Sequence, residues 1–192
     1  RCSWCGHVLG VFDLVPLVSW FALSRRCRYC GSPLGWFYPN VELAAVVVTI
    51  WAATEVSGWL LWATCGLGWV LLALAIIDAR HQLLPDVLTL PLIAGGLAVA
   101  ALIDAASVYE HALAAALGFS AFWVIARCYR VMRRREGLGL GDAKFLAAAG
   151  AWVSWQGLPG VVFIGAASAL VIALIKIAAG STPAKDHRIP FG

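Results

Sequence analysis

Long apolar runs broken by short turn-like separators dominate the chain. The runs cover roughly residues 41–56, 58–77, 87–103, 109–128, 143–157 and 159–178. A helix needs about 20 apolar residues, within a range of about 17–25, to cross the hydrocarbon core of a bilayer. The pattern therefore predicts six membrane-spanning helices, the fifth short and glycine-containing. The separators carry turn residues: Ser57-Gly58, Leu84-Pro85-Asp86 and Leu158-Pro159. Residues 1–40 lack such a run and hold most of the cysteines, which sets them apart as a small N-terminal domain before the helix bundle of 41–192.

Composition supports that division. Of 192 residues, 62% are hydrophobic and 12% charged, against about 25% charged in an ordinary soluble domain. The fold class expected is an all-α polytopic membrane protein carrying a small cytoplasmic, zinc-ribbon-like four-cysteine domain at its N-terminus. The net charge of +4 calls for no nucleic-acid partner, because topology accounts for it. With six spans, all 14 Lys and Arg residues fall on one side of the bilayer, and the opposite loops near 57, 104–108 and 155–158 have none. Basic loops face the cytoplasm. The N-terminal domain, the Arg133–Arg135 run, Asp78 and Asp142 are then all expected on the cytoplasmic side of a cell (inner) membrane.

Four of the six cysteines form two C-x-x-C pairs, Cys2/Cys5 and Cys27/Cys30. Each pair puts two sulfurs on one tight turn, and two such turns complete a tetrahedral all-sulfur zinc site. The interval between them is slightly longer than the usual ribbon spacing of about 15–20 residues. Gly6 and Gly31 directly follow the pairs, where a knuckle turn benefits from a residue without Cβ. A reducing cytoplasm disfavours structural disulfides; a redox role and unliganded thiols stay open beside zinc. A closed four-cysteine site would be structural rather than catalytic. Cys65 and Cys128 lie in apolar stretches and read as small packing residues.

Two carboxylates are costly where they stand. Asp78 ends the second run, in IIDARHQLLPD, and Asp142 closes the glycine-rich turn GLGLGDAK before the fifth. Ionisable residues at the edge of lipid usually face protein or a water-filled cavity and carry function. Taken singly, each has a structural reading: Asp142 fits a helix N-cap, and Asp78 fits an interfacial partner of Arg80 or His81. Asp86, after Pro85, fits an N-cap of the third span. Two carboxylates sharing a cavity cannot both ionise easily, so the pair holds a base and an acid at neutral pH. Gly137, Gly139 and Gly141 would leave the backbone open to a close approach by a substrate strand. Lys144 would orient that loop or meet phosphate headgroups.

These strings resemble a known family. IIDARHQLLPDVLTLPL followed by GLGLGDAKFLAAAGAW resembles the type IV prepilin peptidases, aspartic membrane proteases of the GxGD type. The N-terminal segment is similar to that family's cytoplasmic domain, with both C-x-x-C pairs and a Y-P-x-x-E entry to the next helix; the final IPFG resembles its last loop. The resemblance implies that Asp78, in a D-x6-P-D pattern, and Asp142 are catalytic, with Gly139, Gly141 and Lys144 supporting the loop and Cys2, Cys5, Cys27 and Cys30 holding zinc. It implies cleavage of prepilin or pseudopilin leaders at the cytoplasmic face. In many members it also implies N-methylation from S-adenosylmethionine, for which no binding residue can be named. The family typically has eight helices, so a helix before Arg1 and one after Gly192 are expected. Two other readings compete: a non-enzymatic zinc-ribbon membrane module docking a cytoplasmic partner, and a transporter with a proton relay. The transporter reading prefers carboxylates near the bilayer midplane.

Overall fold

In the computed structural model the described residues are 1–2, 4–15, 18–133 and 139–179. They are almost entirely helical, with a single isolated bridge between Arg26 and Pro33 and no strand among them. The helices are α1 (Val18–Ala22), α2 (Phe37–Glu55), α3 (Trp59–His81), α4 (Asp86–Ile103), α5 (Val108–Arg133) and α6 (Leu140–Ala178). Five of these, α2 to α6, are long and apolar enough to cross a membrane. The protein is an all-α, multi-pass membrane protein with a four-cysteine N-terminal segment. Two compact units are present, Arg1–Ala73 and Leu74–Gly192.

Three boundaries differ from those the apolar runs suggest. α2 begins at Phe37 rather than 41, because Pro39 falls in the first turn, where its missing N–H would have no intrahelical partner in any case. α3 continues to His81 and so takes Asp78 into its final turns; Arg80 and His81 end it favourably against the helix dipole. The fifth and sixth runs both lie within Leu140–Ala178, which is interrupted at Ser154 (φ 58°, ψ −178°) and not at Pro159. The displacement has a steric cause. A proline ring clashes with the carbonyl four residues earlier, here that of Trp155, so the distortion falls one turn before the proline.

In the Leu74–Gly192 unit, α4 and α5 both pack on α6. Lipid-embedded helices gain little from the hydrophobic effect, so close packing through small residues holds them together. The centre is Ala115, Ala147 and Ala151, flanked by Ile93 and Leu97. Two cross-helix hydrogen bonds reinforce it: Trp152 Nε1 donates to the Leu92 carbonyl (2.8 Å), and His111 Nδ1 lies 2.9 Å from the Ala151 carbonyl oxygen. A Cβ on Gly150 would come within 2.6 Å of the Ala114 carbonyl, so α5 and α6 touch backbone to backbone. We therefore expect Gly150→Val to destabilise the bundle by about 1–3 kcal/mol through overpacking. Thermal unfolding in detergent checks this, with Gly165→Val, where a Cβ meets nothing within 4 Å, staying close to wild type.

Candidate active site and four-cysteine cluster

Asp78 is exposed on α3, and its carbonyl accepts a hydrogen bond from Gln82 N (2.8 Å). Gln82 then adopts a left-handed backbone (φ 52°) that ends the helix, and the chain turns through Leu84 and Pro85 into α4. Asp142 is half-buried in the first turn of α6, with Gly139 at the N-cap position; its backbone N–H donates to Gly139 O (3.2 Å). The Asp142 carboxylate lies against the Gly139 amide and within electrostatic reach of Asp78. Both aspartates belong to the same compact unit. α4 and α5 separate them in sequence, and each is long and apolar enough to cross a membrane.

The glycines of this turn differ in their surroundings. Gly139 is exposed in an extended conformation. Gly141 packs against the α3–α4 turn: a Cβ there would lie 3.1 Å from Leu84 Cβ. The absent side chain thus serves contact within the protein. Gly137 lies outside the described residues. Asp86 does not cap α4, since Pro85 occupies the N-cap position. Instead Asp86 accepts from Lys144 Nζ through both carboxylate oxygens at 2.7 Å. Lys144 thus has a carboxylate partner on α4. Nothing in the spacing of these two residues, 58 apart in sequence, signals their meeting.

In the Arg1–Ala73 unit, the two C-x-x-C turns are built alike. Gly6 N donates to Cys2 O (3.0 Å) and Gly31 N to Cys27 O (2.9 Å), and the glycines have φ of 68° and 69°. That left-handed backbone is costly for any residue with a Cβ. The four sulfurs lie within 4.8 Å of one another, and Cys2 and Cys30 are 3.9 Å apart. Zinc–sulfur bonds of about 2.3 Å in a tetrahedron give sulfur separations of about 3.8 Å, so the set fits a metal ion of that kind. Backbone amides of Cys5 and Trp4 pull the Cys2 thiol down to about 6. Cys5, despite the His7 amide, is pushed up to about 11 by burial and by the Cys30 and Cys2 thiols. Hydrogen bonds from Ser32 lower Cys30.

An acid that the sequence reading passed over supports this cluster. The Asp13 side chain is 4% exposed, pairs with Arg28 Nε at 3.2 Å, and accepts from Gly10 N (3.0 Å) and Tyr29 OH (3.4 Å). Tyr29 sits between Cys27 and Cys30, and its ring stacks on His7 at 3.8 Å beside the other pair. Asp13 has no motif around it, and only the folded geometry exposes its role.

Comparison with known proteins agrees with both units. The type IV leader peptidase family matches residues 65–174, and the bacterial peptidase A24 N-terminal domain matches residues 1–56. The chain belongs to the type IV leader peptidase family. It is 39% identical to the prepilin leader peptidase/N-methyltransferase of Aeromonas hydrophila, over all of this chain and 66% of that protein. The protein of the same name in Burkholderia pseudomallei is 39% identical over all of this chain and 62% of its own length. That of Dickeya chrysanthemi is 41% identical over 91% of this chain and 62% of its own length. The chain therefore spans a little under two thirds of the curated relatives it matches. No solved structure matches it.

Proposed function

We propose that this chain forms the catalytic part of a membrane aspartic endopeptidase that removes leaders from type IV prepilins or pseudopilins, with Asp78 and Asp142 as the acid–base pair. The supporting observation is their convergence: carboxylates from α3 and α6 come within electrostatic reach of each other at the ends of spanning helices. One carboxylate, ionised, takes a proton from water as the oxygen attacks the scissile carbonyl carbon. The other, protonated, donates to the carbonyl oxygen. Collapse of the tetrahedral intermediate breaks the C–N bond, and a proton passes to the leaving amine. The titration belongs to the pair and not to either residue.

The pair and the N-terminal domain face the cytoplasm in this reading, where a basic leader stays while its apolar helix enters the bilayer. The break at Ser154 supports counting α6 as two crossings, which gives the six-span arrangement of 41–192 and leaves all basic residues on one side. Residues 1–40 form the zinc-holding domain, with Cys2, Cys5, Cys27 and Cys30 as ligands and the metal structural. The relatives' names include N-methyltransferase, so methylation of the new N-terminus from S-adenosylmethionine is part of the proposal.

Incubating membranes that contain the protein with a leader-bearing prepilin segment tests the activity. A single cut before the hydrophobic helix, read by mass spectrometry, is the expected product; an intact substrate overturns the reading. Sidedness has its own measurement. Cysteines introduced at 83 and at 106 should react with a membrane-impermeant maleimide from opposite faces, position 83 from the cytoplasm. Labelling of both from one face would sink the topology.

A further inference from the structure

We infer that Asp86 and Lys144 form a positioning pair that holds the turn after α3 against the first turn of α6 and so sets the separation of Asp78 and Asp142. This rests on the reading of those two aspartates as the reacting groups. The pair makes two hydrogen bonds of 2.7 Å, one to each Asp86 oxygen. It joins α4 to α6 at their N-terminal turns. A few residues away, Leu84 meets the backbone of Gly141, where a Cβ would lie at 3.1 Å. On the other side of the same turn, Gln82 N holds the Asp78 carbonyl at 2.8 Å. The five residues from 82 to 86 thus connect the α3 turn of Asp78 to the α6 turn of Asp142 by one helix-ending hydrogen bond, one close contact and one ion pair.

Two features argue against a purely stabilising role. The side chains are 29% (Lys144) and 55% (Asp86) exposed, and ion pairs this open to solvent contribute little to global stability. A lysine this near the N-terminal end of a helix also gains nothing from the helix dipole, so its position needs a reason other than helix formation. The carboxylate partner supplies one. Lys144 lies one helical step beyond Ala143 and two beyond Asp142, on the turn whose orientation matters most for the second aspartate. Catalytic groups tolerate little displacement, and an error of about 1 Å costs up to about a hundredfold in rate.

A double-mutant cycle on the membrane-embedded protein, with prepilin cleavage as the readout, tests the pair. Lys144→Met and Asp86→Asn should each lower kcat by about 10–100-fold with KM nearly unchanged, and each should displace the pH–rate profile. The double variant should be no slower than the worse single one, because both substitutions break the same link. Lys144→Arg, which keeps the cation, should recover most of the rate. Immunoblots of the membrane fraction confirm equal insertion, and the two sites give independent variants if one accumulates poorly. Single variants with wild-type kcat and pH profile, or losses that multiply in the double variant, overturn the inference. Failure of the aspartate reading itself looks different: cleavage would then survive loss of Asp78 or Asp142.

Discussion

Asp142→Ala should abolish leader cleavage, with a fall of at least about a thousandfold, while the protein still accumulates in the membrane. Acid–base groups contribute about 10²–10⁴-fold each, and members of a catalytic unit removed singly cost nearly as much as removing the unit. Asp78→Ala should have the same effect, and the double variant should add little to either. The structural alternative predicts something quite different. Asp142 lies in the first turn of α6, next to the N-cap Gly139, and losing a capping-type interaction costs only about 0.5–2 kcal/mol. A capping residue replaced by alanine would leave cleavage measurable and lower the unfolding midpoint. Product from either alanine variant at more than about a tenth of the wild-type rate refutes the dyad. Asp86→Asn separates the three acids, because it removes the contact with Lys144 and leaves the Asp78 and Asp142 carboxylates in place.

Cys27→Ser is the second large effect. Cys27 is 5% exposed within a cluster whose sulfurs lie within 4.8 Å of one another. Binding of structural zinc by a small domain is worth about 10–16 kcal/mol near neutral pH. Among the described residues, its other anchors include Asp13 with its partners and Trp20, which packs on Trp36 at 4.6 Å. Removing one ligand should take zinc from about one per chain to nearly none and expose residues 1–40 to trypsin. Cys128→Ser, at an exposed position on α5, should keep its metal and its resistance. A metal-free sample that stays folded, or a Cys27→Ser protein that retains zinc, counts against a structural metal.

Much of the fold was legible because its signals are local. Apolar length specifies a spanning helix without reference to any partner, and the glycine after each C-x-x-C pair anticipates the left-handed backbone found at Gly6 and Gly31. Membrane class and the four-cysteine cluster followed from those alone. The features that escaped are long-range or steric. Asp13 gains its meaning from Arg28 and Tyr29, and Lys144 from Asp86. Gly141 reads as an opening for substrate until Leu84 is seen to fill it. Pro159 marked a separator between the fifth and sixth runs, yet the interruption falls at Ser154, since a proline acts on the turn before it.

The break at Ser154 also bears on the bilayer around the protein. The part of α6 before it, from residue 140 to 153, is about 21 Å long at 1.5 Å per residue. The hydrocarbon core is about 30 Å thick. A helix segment that short leaves a hydrophobic mismatch, which lipids relieve by thinning and by admitting headgroups and water deeper than usual. Asp142 stands on this segment. Lipid thickness should therefore tune proteolysis: reconstitution into short-chain lipids should favour it, and long-chain lipids should slow it.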